Sequence, residues 1–221
     1  MTPPANISFQ YEANPDDKTI AAAAQLYVDL CKDSTSFMGA TSGRLDLALP
    51  MAMGVLKPLV RVSGELYTAR DEDGNLIGFT VWAPPGRTAF DTPEQLEMGF
   101  ADFLSQIDEE GKEFQTHLFQ EILPAWLARD LGIEDAEREY YWCWFAMVRE
   151  DHHNKGICRV LFDMTYAKAR LTGATMALIT DSHDNVAKYE KLGFAKRGEQ
   201  KVTSPYGDWS LWCMSRETKV L

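Results

Sequence analysis

The chain has 221 residues, 45% hydrophobic and 25% charged, the balance of one globular domain with a sizeable core. Its formal net charge of -11 argues against a nucleic-acid backbone or an anionic membrane as partner, because both need a basic surface, and permits a cationic ligand. No basic-then-apolar leader opens the sequence and no apolar run approaches the roughly 18 residues of a membrane span, so a cytoplasmic, single-domain protein over residues 1–221 is expected.

In chain order, residues 7–11 read as a first strand. Asp16 or Asp17 caps a helix over residues 18–32, whose Ile20, Ala23, Ala24, Tyr27, Leu30 and Cys31 share one face. A helix over residues 46–56 is expected to end at Pro58, which lacks the amide the next turn needs. Residues 65–70 and 76–83 form a hairpin around Asp73-Gly74-Asn75, closed by Pro84-Pro85-Gly86. Residues 92–131 are helical, capped at Thr92 or Asp91 with Pro93 at the first position. Gly111 is expected to break that run and Pro124 to interrupt its second half.

The run Tyr140 to Val148 is aromatic and apolar throughout, the pattern of a central strand buried on both faces. A helix over 156–172, a strand over 174–180, a helix over 184–192 and strands from Phe194 and over 209–215 follow. This order implies a mixed α/β sheet. Cys31, Cys143, Cys158 and Cys213 form no CxxC pair, which favours free thiols over disulfides or a zinc site, and no metal is expected.

The joint between the central strand and the next helix carries the chemistry. There a polar loop with one glycine, Gly156, opens directly into a helix, and unpaired amides at such a joint attract an anion. Lys155 and Arg159 add local positive charge to an acidic chain.

His153, Gly156 and Cys158 fall at the patterned positions of the motif Gln/Arg-x-x-Gly-x-Gly/Ala, and Asn185, Tyr189, Lys191, Gly193 and Phe194 follow the next strand. The two segments together resemble the acetyl-CoA site and the Asn…Tyr-x-Lys-x-Gly-Phe signature of the GNAT N-acetyltransferases. The resemblance spans about residues 140–216. The Val81-Trp82 strand end, the helical stretch before the central strand and the tail Trp212 to Arg216 are most similar to puromycin N-acetyltransferases.

The resemblance implies a central mixed, mostly antiparallel sheet flanked by helices on both faces, with residues 92–131 as a helical insert. It implies acetyl-CoA as cosubstrate, held by Met147, Val148, His153, Asn154, Lys155, Gly156, Ile157, Cys158, Arg159, Asn185 and Tyr189. Tyr189 is the expected proton donor to the departing thiolate, since a phenol can protonate a stronger acid's conjugate base once the acyl group has left. The proton acceptor is less defined; Glu139, at the start of the central strand, is the candidate. Trp82, Tyr140 and Trp142 are candidates for the wall of a pocket for an apolar amine. The expected reaction is acetyl transfer to a small-molecule amine by direct attack, in a monomer or homodimer. The alternatives are a protein or peptide N-acetyltransferase, or an acyl-CoA-binding sensor without turnover.

Overall fold

Strands β1 (Ser8–Glu12), β2 (Glu65–Arg70), β3 (Leu76–Ala83), β4 (Tyr141–Val148), β5 (Met176–Thr180), β6 (Ala195–Val202) and β7 (Trp209–Arg216) pair into one sheet. The computed structural model describes residues 5–218. The sheet has seven strands in the order β1-β2-β3-β4-β5-β7-β6, and β4–β5 is the parallel pair among antiparallel ones. This is the mixed α/β, mostly antiparallel architecture expected from the sequence.

Helices α1 (Asp17–Cys31), α2 (Thr35–Ala40), α3 (Ala48–Pro58), α4 (Pro93–Leu96), α5 (Phe100–Gln106), α6 (Glu109–His117), α7 (Leu123–Leu131) and α8 (Ala136–Glu139) precede β4. Helices α9 (Ile157–Thr172) and α10 (His183–Lys191) flank β5 on either side in the chain. Two large cores result, one on each face of the sheet, with a smaller apolar cluster of Phe37, Met51 and Phe103 between α2, α3 and α5. Ile20 and Ala24 of α1, Leu56 of α3 and Trp126 of α7 pack on Phe79, Phe145 and Trp142. On the other face Leu161 and Phe162 of α9 and Val186 of α10 pack on Trp82, Tyr141 and Leu178. On this second face Glu65 accepts hydrogen bonds from the hydroxyls of Tyr67 at 2.8 Å and Tyr141 at 2.5 Å and pairs with Lys168, tying β2, β4 and α9 together.

Local chemistry explains most boundaries. Asp16 caps α1 through the Thr19 amide at 2.7 Å. The Gln95 side chain accepts from the Asp91 and Thr92 amides at 2.9 and 3.1 Å, holding the entry of α4 with Pro93 at its first position. The short α2, capped by Ser34, was not anticipated.

Three expected breaks fall elsewhere. Pro58 does not end its helical path, which continues as a π-helical segment, Leu59–Ser63. Gly111 lies inside α6, whose cap is Asp108; a Cβ at Gly111 would come within 2.8 Å of the Ser42 side chain, so this glycine serves close packing. Pro124 sits in the first turn of α7, where its missing amide costs little. The chain reaches it through the π-helical segment Leu118–Ile122, in which the Leu123 amide bonds the Leu118 carbonyl. Tyr140 precedes β4 rather than joining it.

Candidate active site

The site arises where β4 parts from β5. The two strands pair only over Tyr141↔Met176, Trp142↔Ala177 and Cys143↔Leu178. Along its other edge β4 stays with β3, but the register shifts between Val81↔Phe145 and Trp82↔Cys143, leaving Trp144 as an extra residue. Such a bulge bends and twists the strand that carries it. Beyond it β4 leaves β5, and a cavity of about 930 Å³ opens between Ala146, Met147 and Val148 on one side and Ile179, Thr180 and Asp181 on the other.

Strand alternation sets the direction of the freed backbone groups. The Arg149 amide donates to the Ile77 carbonyl at 2.8 Å, on the β3 side. Counting back by alternation, the amides of Ala146 and Val148 point to the open edge and that of Met147 points to β3. The Val148 carbonyl, on the same edge, pairs with His153 Nε2 at 2.7 Å, which folds the following loop back over the strand end.

That loop forms an amide cradle. Asn154 (φ 59°) and Gly156 (φ 79°) both take the left-handed conformation. The first helical bond at the start of α9 runs from the Val160 amide to the Gly156 carbonyl, and the amides from Asn154 to Arg159 have no acceptor among the described residues. No acidic residue lies in the first turn of α9. Successive unpaired amides at a helix N-terminus hold an anion. Arg159 does not stand free beside them: its Nη2 donates to the Lys191 carbonyl at 2.9 Å, clamping α9 to the end of α10.

Tyr189 enters the cavity from α10, with its ring packed against Phe162 and Phe194 at centroid distances of 5.6 and 6.2 Å. Burial pushes its hydroxyl pKa well above the usual phenol value, and the nearby Cys158, Cys143 and Asp181 add to the rise, so the proton stays on. The thiols on the cavity are also held protonated: burial pushes Cys158 up to about 12 and Cys31 up to about 12, and Cys143 well above its ordinary value. Asn185 is the third residue of α10 rather than its cap, which is Ser182; its Oδ1 accepts from Lys188 Nζ at 2.9 Å.

Of the residues singled out from the sequence, Met147, Val148, His153, Asn154, Gly156, Ile157, Cys158, Arg159, Asn185 and Tyr189 line this one cavity, as does Trp142. Four do not. Lys155 is exposed outside it. Trp82 is 0% exposed beneath α9, edge-on to Phe162 at 5.1 Å, so it belongs to the core. Tyr140 lines a separate cleft of about 220 Å³ with Asp130 and Arg197. Glu139 is exposed at the end of α8, whereas Glu137 of the same helix lines the cavity, as do Glu150 and Asp181. Burial pushes the Glu137 carboxyl up to about 7, with a smaller push from the charge of Asp135, while part of its surface still meets the cavity. The sequence holds no signal for this choice, because a four-residue helix has too little periodicity to tell Glu137 from Glu139. Trp144 and Phe145, further aromatics of the central strand that the sequence offers as pocket candidates, also line the cavity, as do Tyr27 and Trp209, which were not expected there.

No protein-family model matches the sequence, and no curated protein matches it. Solved structures do match in shape. An N-acetyltransferase from Staphylococcus aureus Mu50 superposes with a TM-score of 0.58 at 12% identity, over 97% of this chain and 100% of that one. A Corynebacterium glutamicum ATCC 13032 protein, described as histone acetyltransferase HPA2 and related acetyltransferase, gives 0.56 at 14% identity, over 100% and 98%. Arabidopsis thaliana NAA60, in complex with a bisubstrate analogue, gives 0.55 at 12%, over 97% and 99%. At these identities the likeness is one of architecture, and the chain is built on the GNAT acetyltransferase fold.

Proposed function

We propose that the protein transfers an acetyl group from acetyl-CoA to the amine of a small molecule. The observation that carries this reading is the run of unpaired amides from Asn154 to Arg159, set beside an opened strand edge and the buried hydroxyl of Tyr189. A polyphosphate fits the first, an extended amide-bearing arm fits the second, and a leaving thiolate fits the third.

Acetyl-CoA supplies the acyl group as a thioester. The amides of the loop and of α9 would hold its pyrophosphate, assisted by the Asn185 side chain. The Val148 amide, on the open edge of β4, would polarise the thioester carbonyl as an oxyanion donor. The neutral acceptor nitrogen attacks that carbonyl, the C–N bond forms, the C–S bond breaks, Tyr189 gives its proton to the sulfur, and the surplus proton on the acylated nitrogen returns to the tyrosinate. Glu137, on the far side of the cavity from α9, takes the proton that the ammonium sheds. A carboxyl with a pKa near 7 is matched to that task at neutral pH. The likeness of the insert and tail to puromycin N-acetyltransferases supports a bulky acceptor.

The thiols of Cys31, Cys143 and Cys158 are protonated and thus poor nucleophiles, which favours direct transfer over a covalent acyl-enzyme. Initial rates measured by thiol release, with acetyl-CoA and amine varied together, are expected to give intersecting double-reciprocal lines. Parallel lines would point to an acyl-enzyme and contradict the scheme, and peptides turned over in preference to every small amine would replace the acceptor class.

A further inference from the structure

The cavity's charged side chains divide unevenly: Glu150 stands in the loop before the amide cradle, and the cations are confined to one face. Its cations, Arg159, Lys188 and Lys191, all stand on α9 and α10, beside the amide cradle. The opposite wall comes from α1, α2, the π-helical segment before α7, α8 and β7, and the charged residue it contributes is Glu137. Asp181 lies exposed at the end of β5, where Ser36 Oγ donates to its carboxylate. No lysine or arginine lines the acceptor wall among the described residues.

The rest of that wall is aromatic and apolar. Tyr27 meets Phe37 and Phe145 edge-on at 5.2 and 5.0 Å, and Trp142, Trp209 and Leu118 continue the surface. Glu137 forms no ion pair among the described residues, whereas its neighbour Arg138 is engaged by Asp91 and Asp135. A half-buried carboxylate without a counter-charge, in an aromatic pocket, favours a ligand that brings both a cation and an apolar body. The same wall disfavours a second negative charge, which would meet Glu137 and Asp181 with no cation to receive it.

We infer that the acceptor is an ammonium attached to an apolar, aromatic-sized body and lacking a carboxylate, and that Glu137 holds its charge. This rests on the acetyltransferase reading for what happens after binding, but not for binding itself. Amino acids and acidic metabolites are excluded as good acceptors.

The test is an equilibrium titration of the full chain, read by the fluorescence of the tryptophans that line the pocket. The probes are phenethylamine, phenylalanine, ethylamine and phenethyl alcohol. Phenethylamine is expected to bind about tenfold or more tightly than phenylalanine, which adds only the carboxylate, and than ethylamine, which lacks the ring. Glu137→Gln is expected to weaken phenethylamine by about tenfold or more and to leave the uncharged alcohol unchanged, which also verifies that the variant is folded. Equal affinity for phenylalanine or ethylamine, or no phenethylamine binding at millimolar concentration, would overturn the ligand class. Unchanged phenethylamine affinity in Glu137→Gln would overturn the role of Glu137. Selective binding without acetylation in the presence of acetyl-CoA would uphold this inference and sink the transferase reading instead.

Discussion

Tyr189 and Glu137 sit on opposite sides of one cavity, and burial drives both toward their protonated forms for different uses. In the proposed mechanism the phenol is the proton donor, so Tyr189→Phe is expected to lower kcat by about 10²–10⁴-fold with little change in acetyl-CoA affinity. An unaltered kcat in a steady-state assay would remove Tyr189 from the chemistry. Glu137 has a consequence for stability as well. Its folded pKa of about 7 lies above the ordinary 4.5, so between those values the folded state holds the proton more tightly. The stabilising effect of that proton is complete below the lower value and is lost as pH rises through the upper one. Glu137→Gln, which cannot ionise, is expected to raise the melting temperature at about pH 8 and to leave it nearly unchanged at about pH 4. A lower melting temperature for the variant at the higher pH would show that the native carboxylate is better compensated than its surroundings indicate. At this scale Tyr189 was legible because a tyrosine on a short helix after a strand falls in a spaced motif. Glu137 was not, because its inward turn depends on how Asp135 caps a single helical turn, through the Arg138 amide at 3.3 Å.

The elements of the site are a bulged strand, a loop with two left-handed residues and a helix whose first amides are unpaired. Gly156 at φ 79° is the position where the loop's conformation is most demanding. Gly156→Val would impose about 1–3 kcal/mol of backbone strain there, and the strained loop would misdirect its amides. The expected result is a protein that still folds cooperatively but binds acetyl-CoA about tenfold or more weakly by titration calorimetry. Unchanged affinity would place the polyphosphate elsewhere. The strand–loop–helix joint was visible in the sequence because Gly156 follows an apolar run and precedes an amphipathic one. The bulge at Trp144 was not, because an uninterrupted aromatic run gives no mark of the residue that slips the register. Prolines and glycines misled where they were taken as stops: Pro58 and Pro124 adjoin π-helical turns, and Gly111 makes room for Ser42.

Across the whole molecule, the net charge of -11 and the local arrangement at the cavity answer different questions. The first describes the chain as a whole, while the cradle of amides with Lys188 and Lys191 nearby provides a region of the cavity suited to a polyanion. The mixed α/β class followed from element types in chain order, which the hydrophobic patterns revealed, and the helices on both faces from the family resemblance; the strand order did not. The division of the cavity between the two faces did not, because it depends on where β4 and β5 part. Thermal unfolding reports whether this cavity binds acetyl-CoA. At about 100 times the dissociation constant, a ligand of the folded state adds about 2.7 kcal/mol, or roughly 5–10 °C for a chain of this size. A shift of that order is expected with acetyl-CoA and with free CoA, and none with NADH. No shift with either CoA compound at saturating concentration would rule out the acetyl-CoA site and leave the amide cradle without its ligand.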